Sequence, residues 1–199
     1  MTSRLKKSPP SRAILRAFHE GLEEMVELGR APEGLSKQAD AQQIFTLSLS
    51  AIVDGKGVKE AQPVAWDFLI GGGSIPTFLV AVSGVRGKKP KMTSLTREPM
   101  AAQAAEATSH VENLPHVRQH RYDLRRLRIP ALSLGAFWLR SLEKGVPDLA
   151  VPYHAIHDKL KSMQACPMDE FLAVVRPIAE KRLADEAALR RKAKASTCG

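Results

Sequence analysis

The sequence predicts an α+β protein, with a mainly antiparallel sheet of about five to six strands and helices packed on it. Three observations carry that expectation. Residues 64–70 and 131–138 alternate with period two, the pattern of strands whose successive side chains point to opposite faces. Residues 12–28 and 168–183 repeat apolar side chains at three- and four-residue intervals, which places one buried stripe on each of two helices. The strands are joined at 71–74 and 145–148 by short turns, and a short connection allows only antiparallel neighbours.

Taken in order, Ser11 is placed to cap the first helix, and Ile14, Leu15, Phe18, Leu22, Met25 and Val26 form its stripe. Gly29, Pro32 and Gly34 stop it. Residues 43–50 alternate Phe45, Leu47 and Leu49 against Thr46 and Ser48, a first strand with one wet face. Residues 50–62 are a short helix or an irregular excursion. Val64, Trp66, Phe68 and Ile70 define a second strand, and 75–83 a third that is apolar on both faces. The run 71–74, three glycines and a serine, is a hairpin turn. A phosphate loop would lead into a helix, whereas this one leads into a strand. Residues 84–97 are a basic Gly- and Pro-containing loop, and 100–114 an alanine-rich helix expected to pack closely on small strand residues.

The stretch 122–152 is the centre of the pattern. Ile129-Pro130 interrupts it, dividing strands at about 122–129 and 131–140, because proline gives up a ladder donor. Leu132, Leu134, Ala136 and Trp138 form the core face, with helices on one face of the sheet. Residues 149–151 return as a short strand ended by Pro152, and 153–165 carry no clear pattern. Pro167 opens the last helix, and Pro177 is expected to kink or split it.

Composition bounds the function. The chain has 199 residues, enough for one domain, and 44% hydrophobic content supports a core built mainly from aliphatics and alanine. Two cysteines, Cys166 and Cys198, make no disulfide framework and fit a reducing cytoplasm. No signal-peptide pattern is present, and no window approaches the roughly 20 apolar residues of a membrane span. The net charge of +9 lies mostly at the ends, with +4 in residues 1–12 and +4 in residues 181–199. The expected organisation is a disordered basic tail at 1–11, a single domain at 12–184 and a basic C-terminal tail at 185–199.

Candidate sites are few, and no catalytic or metal-binding signature stands out. His154 and His157 share helical i, i+3 spacing and Cys166 lies nine residues beyond His157, but the set lacks a fourth ligand and a zinc-like spacing, so no metal and no cofactor is assigned. Cys166 before a helix N-terminus, with His154 or His157 as base, is a weak nucleophile candidate. Arg118, Arg121, Arg125, Arg126 and Arg128 form the densest cationic group, suited to anions or nucleic acid, with Arg126 and Arg128 on one strand face and Arg125 on the other. Exposed strand arginines are a common device against edge pairing, so a solvated or edge role is expected for this group ahead of anion binding. The expected function is a non-catalytic protein–protein interaction or assembly role with a protein partner. The alternative is a nucleic-acid-associated protein using the basic tails and the arginine group, and the weakest is a Cys166-dependent enzyme.

Overall fold

The computed structural model describes residues 5–33, 35, 39–72, 75–84, 87–97, 99–154, 158 and 160–197. Helix α1 (Arg12–Glu27) begins where the Ser11 side chain accepts the Ile14 N–H, and Ile14, Phe18 and Leu22 are its buried stripe. A first meander follows, made of β2 (Asp40–Thr46), β3 (Gln62–Gly72), β4 (Ile75–Ser83) and β5 (Lys91–Thr96). Helix α2 (Leu49–Val53) lies between β2 and β3. Helices α3 (Met100–Glu112) and α4 (Pro115–Gln119) then carry the chain back to the sheet centre. The second meander is β6 (Tyr122–Ile129), β7 (Leu134–Ser141), β8 (Leu149–His154) and β9 (Cys166–Pro167), and helix α5 (Met168–Thr197) closes the chain.

The two meanders form one sheet in the order β5-β4-β3-β2-β6-β7-β8-β9. Every neighbour pair on that path is antiparallel except β2 and β6, which are parallel. A parallel pair needs a long crossover, and β3 through α4 supplies it. A further short strand, β1 (Leu5–Lys6), runs parallel to the start of β6. The α+β class and the mainly antiparallel sheet are therefore as expected, but the described residues contain nine strands rather than five or six.

Helices cover both faces of the sheet, not one. On the first face, Ile14, Phe18 and Leu22 of α1 pack on Trp66, Phe68 and Val80. On the same face Phe45, Leu127 and Trp138 meet Ile52 of α2 and Phe171 and Val175 of α5. On the opposite face, Leu124, Phe137, Leu139 and Val151 pack under Val111 of α3 and Val117 of α4. Residues 134–139 are consequently buried on both faces, which explains why Gly135 and Phe137 are as enclosed as Leu134 and Trp138.

Other expectations shift for local reasons. Residues 49–53 are helical because the Ser48 hydroxyl accepts the Ala51 N–H, and this cap overrides the strand-like alternation. The expected loop 84–97 contains β5. Residues Pro130–Leu132 form a single 3-10 turn closed by Ser133 in the left-handed region, so β7 starts later than the alternation implies. Pro152 does not end β8, which continues to His154 past a register shift opposite Gly135 and Ala136. Helix α5 runs through Pro177 without a break, and residues 185–197 continue it. Residues 5–8, expected within a disordered tail, make ordered contacts. Leu5 is buried, Lys7 Nζ reaches Asp40 at 2.7 Å and Glu112 at 2.6 Å, and the Ser8 hydroxyl donates to Asp123. Burial alone would lower the Lys7 pKa, but the two carboxylates outweigh it and raise it.

Trp138 sits at the middle of the first-face core and donates its indole N–H to Asp148 at 2.8 Å. Trp138→Ala is expected to cost about 3–5 kcal/mol, the usual range for a truncated buried aromatic. Urea denaturation of the variant checks this. A midpoint equal to the parent's would contradict the central placement of β7.

Candidate functional site

Strand β6 carries consecutive arginines, and period two sends them to opposite faces. Arg125 lies on the α5 side. Its Nε donates to Asp123 at 2.8 Å, and its guanidinium sits 4.6 Å from the Phe45 ring centre and 4.8 Å from that of Trp138. Arg126 lies on the α3 side in a matching arrangement. Its Nη1 donates to Asp67 Oδ2 at 2.6 Å, and the rings of Phe137 and Tyr153 flank it at 5.4 and 5.6 Å. Arg128, two residues on, donates from Nη2 to the same Asp67 oxygen at 3.1 Å. Cation–π contact favours both sandwiched guanidiniums, and the carboxylates offset the desolvation of the charges.

Above Asp67, Arg126 and Arg128 the layers do not close. Alanine-rich α3 presents Ala104 and Ala107 to the sheet, and the strands present Ala81 and Gly135. Small side chains on both walls leave a cavity of about 890 Å³. The expected close packing of α3 on small strand residues is thus corrected, since Ala104 and Ala107 face Ala81 and Gly135 across the cavity. The helix is held instead at discrete points, Val111 in the core and a buried Gln42 Nε2–H donated to Thr108 Oγ1 at 3.1 Å. Leu79, Met100, Leu134 and Met163 add apolar wall, and Glu106 and His110 line the cavity from exposed positions on α3. His110 Nε2 lies 2.9 Å from the Met163 carbonyl oxygen. The Tyr153 ring covers Gly135 so closely that a Cβ there would come within 2.6 Å of it, so only glycine fits beneath this wall.

Among the described residues, the floor carries two guanidiniums and one carboxylate. Arg126 is buried, and its Nε has no hydrogen-bond partner among the described residues. Arg128 is different, with its side chain 44% exposed at the cavity.

The five arginines singled out from sequence do not form one surface. Arg118 is exposed on α4 and reaches Asn113 at 3.4 Å. Arg121 is exposed before β6, where its backbone N–H donates to Glu143. Arg125 and the pair Arg126 and Arg128 lie on opposite sides of the sheet. Arg118 and Arg121 are exposed as expected, but Arg125, Arg126 and Arg128 do not guard an edge, because β6 is a central strand. Cys166 is half-buried on β9, paired with Ala150, and its thiol lies 3.7 Å from the Ala150 carbonyl oxygen. His154 is four residues further along β8, roughly 13 Å of strand at the usual rise, so its backbone is remote from the thiol. His157, the side chain of His154, Cys198 and the turn residues 73–74 lie outside the described residues.

Asp67, Gly135 and Tyr153 were not singled out from the sequence. One signal for Asp67 was present: it is the lone charge on a strand face otherwise formed by Ala65 and Leu69. No match to this chain was found among known protein-family models, curated proteins or solved structures.

Burial pushes the Cys166 thiol pKa up, and the nearby Glu170 carboxylate adds to the shift. A raised pKa leaves less thiolate at neutral pH. Iodoacetamide labelling across pH is therefore expected to give Cys166 a higher apparent pKa in the folded chain than in the same chain in denaturing urea. A lower pKa in the folded chain would restore Cys166 as a nucleophile.

Proposed function

We propose that the protein is a non-catalytic binding protein that holds a small molecule in the cavity between α3 and the sheet. The observation that carries this reading is the cavity itself. Its volume of about 890 Å³ falls within the range of small-molecule sites, and apolar wall from Leu79, Ala81, Ala104 and Leu134 stands beside the charged groups of the floor. Binding is favoured over turnover because the groups at the floor engage one another. Asp67 accepts from two arginines, and His110 lies against a carbonyl. The nucleic-acid alternative is weakened because Arg125, Arg126 and Arg128 each pair with a carboxylate and divide between opposite sides of the sheet. A protein partner would need a docking surface, and among the described residues no exposed face has an observation as specific as the cavity.

The test uses N-phenyl-1-naphthylamine, an uncharged dye that fluoresces in apolar surroundings. The parent chain is expected to bind it saturably at one site. Ala104→Trp, which fills the cavity from α3, is expected to weaken binding by about tenfold or more, equivalent to about 1.4 kcal/mol. Leu79→Trp fills the same space from β4 and serves if the first variant is poorly folded by circular dichroism. Absence of saturable binding, or equal binding by the folded filled variants, would overturn the reading.

A further inference from the structure

Resting on the cavity reading, we infer that the ligand is a monocarboxylate with an apolar body, its carboxylate on Arg128 and its body along Leu79, Ala81, Ala104 and Leu134. The charge at the floor sets the head group. Among the described residues, the two floor guanidiniums share a single carboxylate, Asp67, which leaves one positive charge in excess at the floor itself. A cationic ligand would meet two arginines. A dianion would bring two charges to a site that needs one, close to Asp67 and with Glu106 at the rim. An uncharged apolar ligand fits the apolar wall but returns no acceptor to Arg128, so it binds more weakly than a carboxylate with the same body.

Geometry points to Arg128 rather than Arg126 as the contact. Arg126 is enclosed between Phe137 and Tyr153, and its Nε is sealed from solvent. Arg128 is 44% exposed and lines the cavity. A guanidinium has five N–H donors, and the hydrogen bond to Asp67 uses one of them, from Nη2. The remaining donors suit a planar carboxylate. The wall formed by Leu79, Ala81, Ala104 and Leu134 is apolar and suits a hydrocarbon or aromatic body, while Ser94, Thr96, Gln103 and Ser133 also line the cavity.

The experiment displaces N-phenyl-1-naphthylamine from the parent chain with dodecanoate, dodecanol, dodecylamine and dodecyl phosphate, each below its micelle concentration near neutral pH. Dodecanoate is expected to bind about tenfold tighter than dodecanol and dodecylamine, and tighter than dodecyl phosphate. In Arg128→Gln the ratio of dodecanoate to dodecanol affinity is expected to fall to about one. If the dye binds but dodecanol or dodecylamine equals dodecanoate, the carboxylate inference fails and the cavity reading stands. Tighter binding of dodecyl phosphate overturns the single-charge argument. Absence of dye binding overturns the cavity reading and this inference with it. The head-group series on the parent chain decides the matter whether or not the Arg128 variant folds.

Discussion

The contact of Asp67 with Arg126 is the interaction on which the rest of the arrangement depends. The two residues are 59 positions apart in the chain and belong to different meanders. Strand β2 lies between them, so the arginine reaches across two strand spacings of about 4.8 Å each. Both side chains are buried, and a buried charge costs several kcal/mol unless it is paired. The contact therefore requires a particular alignment of three strands. Asp67 pairs with Gln42, and Ile44 pairs with Arg126. A slip of one residue in β3 would turn Asp67 to the α1 side and leave the arginines without it. The parallel join between the meanders is thus specified by charge as well as by apolar pattern.

The same contact accounts for the cavity. A pair of guanidiniums in the middle of a sheet face prevents a helix from laying large apolar side chains directly on that face. Helix α3 instead carries alanines there and is fixed by Val111 and by the Gln42–Thr108 hydrogen bond. On the other side of β6 the situation differs. Arg125 is neutralised locally by Asp123 and covered by Phe45 and Trp138, and the core around it closes under α2 and α5. Two arginines adjacent in sequence have similar immediate surroundings, yet Arg126 lines the cavity and Arg125 does not. The difference is Arg128, which gives the α3 side a second cation for one carboxylate.

Much of the frame was legible from local pattern. Helix α1 and its Ser11 cap, the third strand at 75–83 and the bounds 122–129 of β6 follow from periodicity and capping chemistry, which act over a few residues. The elements missed are those with little pattern of their own. Strands β1 and β9 have two residues each, and β5 has mostly exposed or half-exposed side chains, so pairing with a neighbour defines them more than their sequence does. Helix α2 was hidden by alternating leucines that the Ser48 cap diverts into a turn. Parity correctly put Arg125 and Arg126 on opposite faces. It could not reveal that both faces are covered, because α3 has alanines in place of a strong apolar stripe. Nor could it supply Asp67, since a contact between separate meanders depends on strand order rather than on local sequence.

A double-mutant cycle at Asp67 and Arg126 measures the central contact directly, using Asp67→Leu, Arg126→Met and the double variant in urea denaturation. If the pair is the buried constraint described, each single variant leaves a charge without its main partner, and removing one partner of such a pair costs up to about 3–5 kcal/mol. The smaller loss is expected for Arg126→Met, because Arg128 still contacts Asp67. The double variant should then be more stable than the sum of the singles implies, by about 1–3 kcal/mol. Losses that add to within about 0.5 kcal/mol would show that the two charges do not depend on each other, and would contradict the account.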